Sequence, residues 1–184
     1  MRIARKFHRP MAAAVATAAL LQVQVAQAAA PVCITEQEVS AMAAFSMSSV
    51  LEGTMNSCRP HLAANGYFAT SGQQLIGRYA ARKAAAWPGA KSAFLKFGSE
   101  KDPEMLSTVG SLPDAALQPF VDAMLSEMVA SKIKPAQCRP VERMAMLLSP
   151  LPPENMADII GYVIALAGDK PAKAGTPRIC PAQS

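Results

Sequence analysis

The chain is poor in the residues that catalysis, metal binding and nucleic-acid recognition draw on. It holds two histidines, one tryptophan and 5% aromatic side chains in 184 residues. No G-x-S-x-G, no glycine-rich phosphate loop and no H-E-x-x-H occurs, so the signatures of serine hydrolases, nucleotide-binding enzymes and zinc peptidases are missing. No C-x-x-C or C-x-x-C-H occurs either, which counts against dithiol redox chemistry, a close-paired zinc site and covalent haem. Past residue 28 no apolar run reaches the roughly 20 residues that span a bilayer. The longest, Ile159 to Ala167, suits a buried helix. No stretch alternates in the manner of a strand, and no repeat is longer than a tripeptide.

What is present begins at the N-terminus. Arg2, Arg5, Lys6 and Arg9 precede an apolar stretch from Met11 to Leu21, continued by Val23 and Val25 and closed by Ala26-Gln27-Ala28. A basic start, a short apolar middle and a small-x-small end make a secretory signal peptide over residues 1–28, with cleavage after Ala28, or alternatively Ala30. Gln22 and Gln24 interrupt the apolar stretch, and its length favours a leader over a membrane anchor. Arg5-Lys6 is not a twin arginine, and Pro31-Val32 before Cys33 does not suit lipid attachment, so a soluble periplasmic or secreted product is expected. Removing the leader changes the charge argument. The whole chain carries 18 basic and 13 acidic side chains, a formal +5. Four of the basic ones leave with the leader, so the remaining 156 residues carry about +1 and offer no basic patch for nucleic acid. His61 becomes the only histidine.

All four cysteines, Cys33, Cys58, Cys138 and Cys180, lie in the exported part. An even count in an oxidising compartment predicts two disulfides. A helix starting just after Cys33 and running nearly to Cys58 carries the two cysteines too far apart to bridge, since bridged Cα atoms lie about 4.4–6.8 Å apart. That disfavours Cys33–Cys58 unless the helix breaks near Ser46-Met47-Ser48-Ser49. The preferred pairs are Cys58–Cys138 and Cys33–Cys180. Cys58-Arg59-Pro60 and Cys138-Arg139-Pro140 repeat one tripeptide, each at an expected helix start, where proline is tolerated. A thiol there beside arginine is acidified, but in this compartment half-cystines are the better reading.

Helical periodicity dominates the rest, and we expect an all-α, single-domain bundle of six to seven helices over residues 29–168, stapled by two disulfides. Thr35-x-x-Glu38 is a capping box, opening a helix that Gly53 or Asn56 ends. Ser71 to Trp87 is expected helical until Pro88-Gly89 interrupts it, with a shorter helix over Lys91 to Phe97. Another should start at Asp102-Pro103-Glu104 and end at Gly110. Ser111-x-x-Asp114 suggests a further cap, but Pro119 should break or kink the helix it opens. That leaves a main helix from Pro119 to Lys132, whose apolar set is Phe120, Val121, Met124, Leu125, Met128 and Val129. Arg139 to Leu148 is amphipathic through Val141, Met144, Leu147 and Leu148. Pro150-Leu151-Pro152-Pro153 forms a stiff corner before a helix through Ala167. That helix is apolar on nearly all sides, which suits the middle of a bundle. Residues 169–184 make a proline-rich tail held through Cys180.

No residue pattern names a reaction. His61, one residue after Pro60, sits in an expected surface turn and reads as an exposed or capping side chain. Glu36, Glu38, Glu52, Glu127, Glu142 and Asp158 are the candidates for a carboxylate-based envelope enzyme, yet none forms an evident pair. Nine methionines remain after cleavage, including Met124 and Met128 one turn apart. Thioethers bind Cu(I), but at apolar helix positions methionine is adaptable core filler, or the lining of a cavity for a small apolar ligand. The missing catalytic signatures favour an envelope accessory or interaction protein, with no cofactor or metal and with a protein or small apolar ligand as partner.

Ala86-Trp87-Pro88-Gly89-Ala90, Leu147-Leu148-Ser149-Pro150-Leu151-Pro152-Pro153-Glu154-Asn155 and Ile179-Cys180-Pro181 resemble small exported four-cysteine proteins of unassigned function from alphaproteobacteria. The resemblance implies export across the inner membrane of a Gram-negative cell. It carries no activity or site residue.

Overall fold

A computed structural model of the chain describes residues 33–168 and 178–181. The expected leader and most of the expected tail lie outside the described residues. The fold is all-α, with seven α-helices among the described residues and no strand beyond one isolated bridge.

α1 (Glu36–Cys58) starts at the expected capping box: Thr35 Oγ1 accepts from the Glu38 backbone, and the Glu38 carboxylate accepts from the Thr35 N–H at 2.8 Å. It then runs unbroken past Ser46–Ser49, where a break had been conceivable, and past Gly53 and Asn56 to Cys58. Nothing stops it earlier, because Gly53 is held inside the helix by packing against its neighbours. A 3-10 turn (Arg59–His61) leads to α2 (Tyr67–Ala80). The chain then turns at Ala81-Arg82, and α3 (Lys83–Lys101) passes straight through Pro88. α4 (Pro103–Gly110) is short, and α5 (Asp114–Ala130) passes through Pro119. α6 (Cys138–Leu148) and α7 (Pro153–Ala167) complete the order.

The two internal prolines thus correct the sequence reading, and for one reason. Each stands at the sixth residue of its helix. The carbonyls they leave without a helical donor belong to Ala84 and Ala115, both exposed residues, where solvent is free to replace the missing N–H. The real break, at Ala81-Arg82, has no local signal. It lies between a helix face that packs Leu75 and Tyr79 into one cluster with Met156 and another that packs Trp87 and Ala90 against Phe45, Leu117 and Val121. Tertiary packing sets it.

α1 is the hub, and α2, α3, α5 and α7 all lie against it. Its sequence suits that place because alanine, serine and glycine let neighbours come close. Ser49, Gly53 and Ser57 face Asp122, Ser126 and Ala130 of a parallel α5: Ser49 Oγ donates to the Asp122 carboxylate at 2.7 Å and Ser57 Oγ to the Ala130 carbonyl at 2.9 Å. A Cβ at Gly53 would collide with the Ser126 carbonyl. Phe45 and Trp87, ring centroids 4.9 Å apart, fill the centre with Leu117 and Val121.

Two disulfides close the fold, Cys58–Cys138 with Cα atoms 5.3 Å apart and Cys33–Cys180 at 5.2 Å. The first is buried and joins the end of α1 to the start of α6. The second joins the two ends of the described domain, beside a parallel bridge between Ile34 and Ile179. Disulfides of this kind belong to a non-reducing compartment. No described helix is long and apolar enough to cross a membrane.

Candidate functional site

Three surfaces carry chemistry or exposed apolar area. The first is an open groove of about 440 Å³ between the N-terminal turns of α1 and α7 and the start of α3. It brings together Glu36 and Asp158, two of the candidate carboxylates, with Glu154 and Arg82. Arg82 crosses it in an ion pair with Glu154 at 2.8 Å. The groove is the nearest approach to paired acids, but its walls are Ala41, Ala44, Ala85 and Ala86, and it is open to water. A proton donor would need a carboxyl raised above its ordinary range. The strongly shifted acid is Glu38, and it moves the other way. Burial pushes its carboxyl up, but hydrogen bonds from Lys96 (2.7 Å), Ser92 (2.5 Å) and the Thr35 backbone outweigh that and hold it down at about 2. Glu38 is therefore a structural anion, clasping α3 to the start of α1. Glu142 is structural as well, its Oε1 accepting from the Phe68 N–H at 3.0 Å in the first turn of α2. Glu52 and Glu127 are exposed on separate helices.

The second surface is a cleft of about 400 Å³ beside the 3-10 turn, where Met55, Leu62 and Phe68 meet Arg59. His61 stands exposed on that turn. Among the described residues no cluster of three His, Cys, Asp or Glu side chains is placed to hold a metal ion. Met124, Met128, Met144 and Met146 are exposed on α5 and α6, while Met156 is buried. The apolar sets of both helices are therefore divided between core and solvent. α5 buries Leu117 and Val121 and shows Phe120, Met124 and Met128 to solvent. α6 buries Cys138 and shows Met144 and Leu147.

The third surface corrects the largest expectation. α7 is not in the middle of the bundle. It meets α1 through small residues at four-residue spacing, Ala157, Gly161 and Ala165, all buried. A Cβ at Gly161 would collide with Ser40 and with the Glu36 carbonyl, so α7 lies as close to α1 as backbone allows. The large side chains are consequently turned outward: Ile159 is 49% exposed, Tyr162 51%, Val163 57% and Leu166 51%. Their spacing of three and four residues puts them on one stripe of the helix. From Ile159 to Ala167 the helix has no charged residue. Scattered exposed apolar residues are ordinary, but a contiguous uncharged stripe marks an interaction surface.

Sequence reasoning found the apolar character of α7 and missed its direction. The signal was available in Ala157, Gly161 and Ala165, which mark the close-packing side. It also missed the roles of Lys83, Lys96 and Asp122. Lys83 Nζ bridges Asp122 (2.7 Å) and Ser49 (3.1 Å), joining α1, α3 and α5. Nothing local announces partners so distant in sequence. No protein-family model matches the chain, and no curated protein or solved structure matches it either.

Proposed function

We propose that this chain is an exported protein of the cell envelope, periplasmic or secreted, that works by binding a protein partner through the outward stripe of α7. The single observation that carries the reading is that stripe: four large apolar side chains about half exposed on one uncharged helix face. Such a face is costly in water and is retained where something covers it. Two disulfides, the leader-like N-terminus and the resemblance to exported alphaproteobacterial proteins support the compartment. The low carboxyl of Glu38 and the open setting of Glu36 and Asp158 weigh against a carboxylate-based enzyme.

The test is photocrosslinking in cells that express the full chain with its leader. A benzophenone amino acid is placed at Tyr162 and, as a control, at Gln74 on the exposed side of α2. The reading expects a discrete adduct from position 162 in the envelope fraction and none from position 74. Absence of any adduct at 162 would overturn it.

A further inference from the structure

We infer that the cleft beside the 3-10 turn binds a small apolar acid, a medium-chain carboxylate whose tail lies on Met55, Leu62 and Phe68 and whose head group pairs with Arg59. The site is separate from the α7 stripe and does not rest on it. Its volume, about 400 Å³, falls within the roughly 300–1,000 Å³ of small-molecule sites. Phe68 is buried and Met55 and Leu62 are half-buried, so the walls are apolar and partly withdrawn from water. The polar side chains that line the cleft are Arg59 and Gln73, and no acid lines it. An apolar slot with few polar groups is the usual form of a site for a small organic molecule.

Charge chooses the head group. Arg59 is exposed and, among the described residues, has no acid in ion-pair contact. Glu142 is the acid that reaches the first turn of α2, and its Oε1 is engaged by the Phe68 N–H at 3.0 Å. The cleft therefore presents a cation whose counter-charge the fold does not supply. A guanidinium holds a carboxylate through two parallel N–H bonds. One cation matches one singly charged head, whereas a phosphate monoester brings nearly two charges at neutral pH.

Both walls are fixed in advance. Cys58, the residue before Arg59, is buried and bridged to Cys138, and the Glu142 carboxylate holds the start of α2. Little chain has to be ordered when a ligand enters, which favours affinity. Met55 supplies the pliable part. Its Sδ and Cε lie where a Cβ on Gly72 would stand, so the thioether rests in space that the glycine leaves open. An unbranched side chain of this kind adapts to the shape of an alkyl tail.

The test uses the purified exported protein, disulfides intact and methionine methyls labelled with carbon-13, titrated with octanoate at neutral pH. The Met55 methyl should shift saturably, with a Kd below about 1 mM, and octanol should bind about tenfold more weakly or worse for want of the charged hydrogen bonds. Arg59→Gln should weaken octanoate about tenfold and leave octanol unchanged. Arg139→Gln, the matching residue of the second Cys-Arg-Pro and outside the cleft, should change octanoate binding less than about twofold. Ala69→Phe, at an exposed position that lines the cleft, should abolish binding of both while the circular dichroism stays that of the parent. No saturable shift at Met55 would overturn the site, as would shifts shared equally with the exposed Met124, Met128 and Met144. Equal affinity for octanoate and octanol, or an equal loss from Arg139→Gln, would overturn the role of Arg59. A Met55 response to anionic phospholipid vesicles and none to octanoate would overturn the soluble acid as ligand.

Discussion

Replacing Glu38 by glutamine should lower stability at neutral pH, and that loss should shrink to about half or less by pH 3. The carboxylate accepts from Lys96, Ser92 and the Thr35 backbone, and Lys96 also donates to the Cys33 carbonyl at 3.0 Å. These contacts hold the folded carboxyl at about 2, against an ordinary 4.5. A shift of that size corresponds to a ceiling of about 3 kcal/mol. The side chain retains 14% exposure, and screening of a partly covered pair reduces the expected contribution to about 1.5 kcal/mol. The sign comes from proton uptake. The unfolded chain protonates near pH 4.5 and the folded one near 2, so the stabilisation is complete above 4.5 and is lost as pH falls toward 2. Glutamine keeps the capping-box hydrogen bond, which isolates the charge. Asp114, also held low through its hydrogen bond from Lys91, titrates in both proteins and cancels. Urea unfolding of both proteins at pH 7, 5, 4 and 3, disulfides intact, reads the difference. A gap that stays constant from pH 7 to pH 3 would refute the assignment of the effect to the carboxylate.

Individual contacts set further outcomes. Gly53→Ala should cost about 2 kcal/mol or more, because the added methyl meets the Ser126 carbonyl, while Gly77→Ala, with open space around it on α2, should gain about 0.5–1 kcal/mol; thermal melts of the pair give the contrast. Val163→Asp should cost under about 1 kcal/mol in monomer stability, and Ala165→Asp, which sets a charge in a fully buried position against α1, about 3 kcal/mol or more; equal losses in denaturant unfolding would contradict the outward stripe. Under mild reductant the half-exposed Cys33–Cys180 should open before the buried Cys58–Cys138, as differential alkylation and mass spectrometry will show. The unreduced exported protein should have the mass of a chain starting at Ala29, less four hydrogens.

The local rules were legible where the physics is local. The capping box at Thr35 and Glu38, the short helix from Pro103 to Gly110 and the corner before Pro153 depend on a few adjacent residues, and the sequence declares them. Proline was over-read. A missing N–H matters only if the carbonyl it abandons is also cut off from water, and Ala84 and Ala115 are not. Which side of a helix faces inward was the hardest thing to read. On α5, Phe120, Met124 and Met128 form as convincing a stripe as Leu117, Val121 and Leu125, and only the neighbours decide between them. The acidic groove was half-legible: Glu36 and Asp158 were candidates, but their meeting depends on α7 lying against the first turns of α1.

The misplacement of α7 and the composition of α1 have a common physical cause. A central helix can be surrounded by four others in two ways, by filling wide gaps with large side chains or by bringing backbones close with small ones. α1 takes the second course toward α5 and α7, through Gly53, Ser49, Ser57 and Ser40. Close backbones leave no volume between the helices for isoleucine, valine or leucine. α7 therefore spends its small residues inward and shows its large ones to solvent, and the same geometry turns Phe120, Met124 and Met128 of α5 outward. A chain that is 51% hydrophobic then carries much of that character on its surface, as a consequence of how its core is built. Filling the α1–α7 contact with larger side chains would not simply improve packing; it would push α7 away from α1, and the docking stripe would lose the fixed position that makes it specific.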